Sequence, residues 1–207
     1  MKKNFILLCI LCLTLGLSYF WTQHHSSSDP IFSPQDLHFK SELLSLIKKY
    51  QNLEQHTHLE KAAFLEHEIL ADPQFISKIT QYLLSMEDTQ SEEKEPILNR
   101  TTAINILEEL LRLKTQIKIT QEVESSLSQL ILKQTPSQAH PFTHRLLMTE
   151  KFEQTLILSR NNPQLAQKTL KLMQDNQVKS VLKQALLTGI LEAGVSDKEA
   201  TQFLEGI

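Results

Sequence analysis

The sequence predicts an all-α protein: an N-terminal membrane segment, then an array of about nine or ten short antiparallel helices packed as a helical repeat or an irregular bundle. Three observations predict it. Of the four glycines in the 207 residues, Gly16, Gly189, Gly194 and Gly206, none lies between Leu17 and Thr188. Helix-start signals recur along the chain: Ser33-Pro34, Thr57 with Glu60, Asp72-Pro73, Asn162-Pro163 and Ser196 with Glu199. Between them, apolar residues return every three or four positions, the period of a helix with one buried face.

The first element is the membrane segment. Lys2 and Lys3 precede an apolar run from Phe5 to Trp21. Charge followed by an apolar run is the pattern of an export signal, and the lysines keep the N-terminus cytoplasmic. Tyr19, Phe20 and Trp21 fall where an aromatic interface belt would lie, which favours an uncleaved anchor over residues 1–21. The alternative is cleavage after Ser18, behind the small residues Gly16 and Ser18, which would give a secreted protein. Cys9 and Cys12 are the only cysteines and both lie in this run, so the remainder has no thiol and depends on its core. Residues 22–32, with Ser26-Ser27-Ser28-Asp29-Pro30, read as a linker.

The helical domain is expected over residues 33–207. Its first helix runs from Pro34 to about Leu53 with Leu43, Leu46, Ile47 and Tyr50 inward. The second runs from the Thr57 capping box to about Leu70, burying Leu59, Ala62, Ala63, Ile69 and Leu70. The third starts at Asp72-Pro73, runs to about Met86 and buries Phe75, Ile76, Ile79, Tyr82, Leu83 and Met86. Glu87 to Glu95 is an acidic loop. Pro96 opens a long helix to about Lys114 whose apolar arc, Ala103 to Leu113, is wide enough to make it central. Thr120 caps the next, burying Val123, Leu127, Leu130 and Ile131. After Pro136 and Pro141 come one long or two short helices to Arg160, carrying Phe142, Leu146, Leu147, Phe152, Leu156 and Ile157. Asn162-Pro163 opens another, burying Leu165, Ala166, Leu170 and Met173; the next buries Val178, Val181, Leu182, Ala185, Leu186 and Ile190 and ends at Gly194, and a last one after Ser196 buries Ala200, Phe203 and Leu204.

Missing glycines exclude chemistry as well as sheets. Phosphate-cradling loops and nucleophile elbows need glycine at fixed places, and none is available through most of the chain. A net charge of −3 gives no global attraction to nucleic acid. The densest polar cluster is Glu54, His56, His58, Glu60, Glu66, His67 and Glu68. His67-Glu68 begins a His-Glu-x-x-His zinc motif, but Ala71 stands at the second ligand position. His140 and His144 are four apart with Pro141 between them, and Glu108-Glu109 and Glu92-Glu93 are carboxylate pairs with nothing to place them in a cleft. Asn99-Arg100-Thr101 is a glycosylation sequon. No catalytic, cofactor-binding or metal-binding residue is assigned. One charge asymmetry remains: Arg160, Lys168, Lys171, Lys179 and Lys183, opposed only by Asp175. If these share a face, they would steer an acidic partner or anionic lipid headgroups.

Two helix starts repeat. Asp72-Pro73-Gln74-Phe75 with Lys78 parallels Asn162-Pro163-Gln164-Leu165 with Lys168. The stretch Leu98-Asn99-Arg100-Thr101-Thr102-Ala103, leading to Leu107 and Leu110, resembles the second-helix pattern of HEAT repeats, and Asp72-Pro73 resembles the turn between their helices. The resemblance covers about 40–60 residues. It implies an α-solenoid scaffold for a protein partner. The expected function is therefore a non-enzymatic, membrane-anchored extracytoplasmic scaffold or adaptor. The alternatives are an envelope hydrolase or metal-dependent enzyme built on the His56–Glu68 cluster, and a secreted effector-like protein.

Overall fold

The computed structural model describes residues 34–53, 56–85, 94–113, 116–134 and 141–207, with side chains from Lys40 onward. The expected membrane segment, the linker, Met86 and residues 87–93 of the expected acidic loop lie outside these, while Lys94 and Glu95, also expected in that loop, belong to a helix. Among the described residues there are nine α-helices and no strand.

Helix α1, Pro34–Asn52, has proline in its first turn and buries Leu43, Ile47 and Tyr50. Helix α2, His58–Phe64, forms because both legs of its capping box close: Glu60 N donates to Thr57 Oγ1 at 3.4 Å and Thr57 N donates to Glu60 Oε2 at 2.9 Å. It runs into a widened π turn, Leu65–Ile69, where Leu70 N donates to Leu65 O at 2.9 Å. The buried residues are Leu65 and Ile69, on that turn. None in His58–Phe64 is buried, and Leu59, expected inside, is 82% exposed: the apolar positions of this helix mark a face on which no other helix packs substantially. Ala63 is exposed as well.

Helix α3, Phe75–Ser85, starts after a turn held by Asp72. Asp72 Oδ1 accepts from Gln74 N at 2.9 Å and Oδ2 pairs with Lys78 Nζ at 2.7 Å. Its buried stripe is Phe75, Ile76, Ile79, Tyr82 and Leu83, as the spacing predicts. Helix α4, Lys94–Leu113, begins two residues before Pro96, which is tolerated there because a first-turn N–H has no partner inside the helix. Ala103, Ile104, Ile106, Leu107, Leu110 and Leu111 are buried. Helix α5, Ile117–Leu132, has extended Gln116 at its cap, not Thr120. Thr120 lies inside the helix and its hydroxyl donates back to Gln116 O at 3.3 Å.

Helix α6, Pro141–Asn161, is one unbroken helix. Helix α7, Pro163–Leu172, is capped by Asn162, whose Oδ1 accepts from Leu165 N at 3.0 Å. Helix α8, Asn176–Glu192, buries Leu182, Ala185, Leu186 and Ile190, whereas Val181, expected inside, is 47% exposed. It is capped by Asp175 and ends in a left-handed Gly194 at φ 82°. There Gly194 N donates to Leu191 O at 3.0 Å and Val195 N to Ile190 O at 3.2 Å, a pairing that closes the last turn. Helix α9, Asp197–Glu205, carries the Ser196–Glu199 capping box and fully buries Ala200.

Every substantial contact among α3 to α9 joins helices one or two apart in the chain. Helices α3, α5, α7 and α9 make one row, and α4, α6 and α8 make the other. That arrangement is compatible with a helical repeat, where each unit touches only its neighbours. Helix α1 joins the second row through Gln51, whose Nε2 donates to Asn99 Oδ1 and Thr102 Oγ1, both at 3.1 Å.

The sequence points to α4 as central, and α4 is well buried, but α6 also lies at the middle and packs on α4, α5, α7 and α8. It is buried through polar residues: Glu150, Lys151, Gln154, Thr155 and Ser159, besides Leu147, Ile157 and Leu158. Helices α6 and α8 approach very closely at Ser159 and Gly189. A β-carbon on Gly189 would lie 1.7 Å from Ser159 Oγ and 2.8 Å from Ser159 Cβ.

Candidate interaction surface

Charged side chains divide into those spent on the fold and those left on the surface. The spent ones seal helix ends. The last carbonyls of a helix have no intrahelical donor and carry the negative end of its dipole. At the end of α5, Lys151 inserts its ammonium between Leu130 O at 2.7 Å, Ile131 O at 3.1 Å and Lys133 O at 2.6 Å, and is 2% exposed. At the end of α3, Arg100 Nη1 donates to Leu83 O at 2.6 Å and Lys133 Nζ to Leu84 O. Arg100 Nε also pairs with Glu150 Oε2 at 2.5 Å, with both side chains almost fully buried. A third buried polar contact has Glu124 accepting from Asn161 Nδ2 at 2.5 Å and from Asn162 Nδ2 at 3.1 Å, tying α5 to the turn that caps α7. The sequence assigns no role to Lys133, Glu150, Lys151 or Glu124, and it gives Arg100 and Asn162 only other ones, in the sequon and at a helix start. Their one legible signal is polar residues recurring at helical spacing along α6, where an apolar stripe would be expected.

The His56–Glu68 cluster does not converge. Glu60 is held in the capping box, whose Thr57 donors keep its carboxyl below the usual carboxylate range, with a smaller part from His56. His56 Nδ1 lies 3.3 Å from Glu60 Oε2. Glu68 pairs with Lys49 at 3.3 Å, and Glu54 lies outside the described residues. Among the described residues no three His, Cys, Asp or Glu side chains are grouped as metal ligands. Glu108 and Glu109 both pair with Arg112, at 2.8 and 3.3 Å. Asn99 of the sequon is 5% exposed and bonded to Gln51, so the folded chain does not offer it for glycosylation. His140 and the Glu92-Glu93 pair lie outside the described residues.

The basic run is only partly brought together. Arg160 leaves it: its Nε pairs with Glu192 across the α6–α8 contact. Lys168 and Lys171, three apart on α7, share that helix's exposed face, opposite buried Ala166, Thr169 and Leu170. Lys171 reaches toward the end of α9, with its Nζ 2.9 Å from where a side chain on Gly206 would begin. Lys179 and Lys183, four apart on α8, are half-buried. Among the described residues none of these four lysines forms an ion pair.

A groove of about 740 Å³ lies where the ends of α5 and α7 meet the starts of α6 and α8, and none of these four lysines lines it. Leu132, Leu172, Met173 and Val178 give it apolar walls, and Lys133, His144 and Asp175 give it polar ones. Leu172 is 61% exposed. Nothing in the sequence marks the groove, since its walls come from four helices.

No family model, curated protein or solved structure matches this chain. Among the described residues no helix is long and apolar enough to cross a membrane.

Proposed function

We propose that this protein is a non-enzymatic helical scaffold that binds another protein through its α7–α8 surface. In this reading it is an α-solenoid, held at the membrane by residues 5–21 with its helices on the extracytoplasmic side. The observation that carries the reading is the contrast in how cations are used. Lys151 and Arg100 are buried and satisfied by helix-end carbonyls and a carboxylate. Lys168, Lys171, Lys179 and Lys183 have no ionic partner among the described residues and lie on α7 and α8, the helices whose facing ends border an open groove. Unneutralised charge around exposed apolar surface is what an interface with an acidic partner needs.

The test is crosslinking and affinity capture from native membranes. Wild-type protein is compared with a variant carrying Lys168→Glu, Lys171→Glu, Lys179→Glu and Lys183→Glu. The expected result is one protein partner captured by the wild type and lost from the variant, with unchanged circular dichroism. Hydrolytic activity in the purified chain, or no partner for either form, would overturn the proposal.

A further inference from the structure

We infer that a second, smaller groove, between α3 and α5, binds an extended segment of another protein through that segment's main chain. The site lies apart from the α7–α8 surface and does not depend on that surface having a partner. The groove has a volume of about 260 Å³. Its α3 wall carries Ser77, Thr80 and Gln81, and its α5 wall carries Ser125, Ser126 and Gln129. Lys133, just past the end of α5, bonds Leu84 O at the end of α3, so the two helices run in the same direction. Each wall therefore presents the same pair in the same order: a serine, then a glutamine four residues on.

Hydrogen-bonding capacity is left over on both walls. Ser77 and Gln81 are exposed, and neither side chain has a hydrogen-bond partner among the described residues. Gln129 Nε2 reaches Ser125 Oγ only at 3.5 Å, which leaves its Oε1 and the serine's proton unused. Thr80 and Ser126 are buried and donate to their own helices, Thr80 to Ile76 O at 2.7 Å and Ser126 to Glu122 O at 2.9 Å, so towards an occupant they can only accept. The one charged lining residue, Glu122, lies 3.7 Å from Lys118. No aromatic ring lines the groove, so the face of a sugar has no platform to stack on. The lining offers neutral donors and acceptors together.

A polypeptide main chain is neutral and presents both, one N–H and one C=O per residue. A glutamine amide has the same two groups and can pair with both at once. The spacing agrees. Four residues along a helix rise about 6 Å. In an extended chain the groups on one edge repeat every two residues, about 6.6–6.8 Å. One edge of such a chain laid along the groove meets a serine and then a glutamine on either wall. Main-chain hydrogen bonds then supply the affinity.

The test uses an array of random twelve-residue peptides probed with the full-length protein in detergent. The most strongly bound peptide is resynthesised with N-methyl groups on its odd-numbered residues in one copy and on its even-numbered residues in another. Each copy blocks one edge of the extended chain, so one should bind about tenfold more weakly than the parent and the other as the parent does. Gln81→Leu/Gln129→Leu, at two exposed positions, should weaken the parent peptide by about tenfold as well, with unchanged circular dichroism. Lys168→Glu/Lys171→Glu should bind the peptide as wild type does. No bound peptide, equal effects in the two methylated copies, or undiminished binding to the glutamine variant would overturn the inference. So would loss in the lysine variant, which would put the peptide on the α7–α8 surface. Binding of an N-acetylglucosamine tetramer that the glutamine variant abolishes would overturn it too, since the occupant would then be a glycan.

Discussion

Substituting Gly189 by alanine probes the close crossing of α6 and α8. The added methyl would sit 1.7 Å from Ser159 Oγ, 2.8 Å from Ser159 Cβ and 3.1 Å from Leu156 O. Rotating the serine relieves the first clash but breaks its hydrogen bond to Leu156 O at 2.9 Å, a loss of about 1 kcal/mol. The second clash cannot be relieved by rotation, because Cβ is fixed to the α6 backbone. Helices α6 and α8 must separate, and overpacking of that kind costs about 1–3 kcal/mol. Alanine returns about 1 kcal/mol through its better helix propensity. The net expectation is a destabilisation of about 2 kcal/mol, or roughly 4–8 °C in Tm for a chain of this size. Thermal and urea unfolding followed at 222 nm would measure it. Adding Ser159→Gly removes both clashing atoms, so the double variant should lose less than the sum of the singles by about 1–2 kcal/mol. Gly189→Ala as stable as wild type, or additive single variants, would refute the close crossing.

Lys151→Met keeps the apolar stem but strips three carbonyls at the end of α5 of their donor, and should lower the urea unfolding free energy by about 3 kcal/mol. Gln154 is 1% exposed and its Oε1 has no hydrogen-bond partner among the described residues, so Gln154→Leu should raise stability by about 1 kcal/mol in the same assay. Burial alone would raise the Asp72 carboxyl, but the Lys78 ammonium and the Gln74 N–H outweigh it and hold the carboxyl below its ordinary 3.8. A carboxylate with a depressed folded-state value stabilises above the unfolded value and loses that contribution as pH falls through the folded value. Tm should therefore drop more steeply below about pH 4 in wild type than in Asp72→Asn, read from melts at pH 6 and pH 3.

Much of the fold is legible in the chain because its helix starts are chemically explicit. Thr57 with Glu60, Asn162-Pro163, Ser196 with Glu199 and Gly194 each do locally what their side chains dictate. Thr120 misleads because a threonine inside a helix can satisfy its hydroxyl on the preceding turn as readily as it can cap. Leu59 misleads because apolar periodicity marks a face without saying whether anything packs on it. The polar interior of α6 is hidden for a related reason. Glu150 and Lys151 read as surface residues until Arg100 and the carbonyl ends of α5 are placed around them, and those lie some 20 to 50 positions away. The basic run could be read, but not its division: only the fold takes Arg160 out of it by supplying Glu192. The groove depends wholly on which helix ends meet.

The most direct test of the central claim is site-specific photocrosslinking in intact cells. A photoreactive residue replaces Lys168 on α7 in one strain and Leu59, exposed on α2, in another. The scaffold account predicts a single adduct of discrete mass from position 168 and none from position 59. No adduct at 168, or the same adducts from both positions, would contradict it.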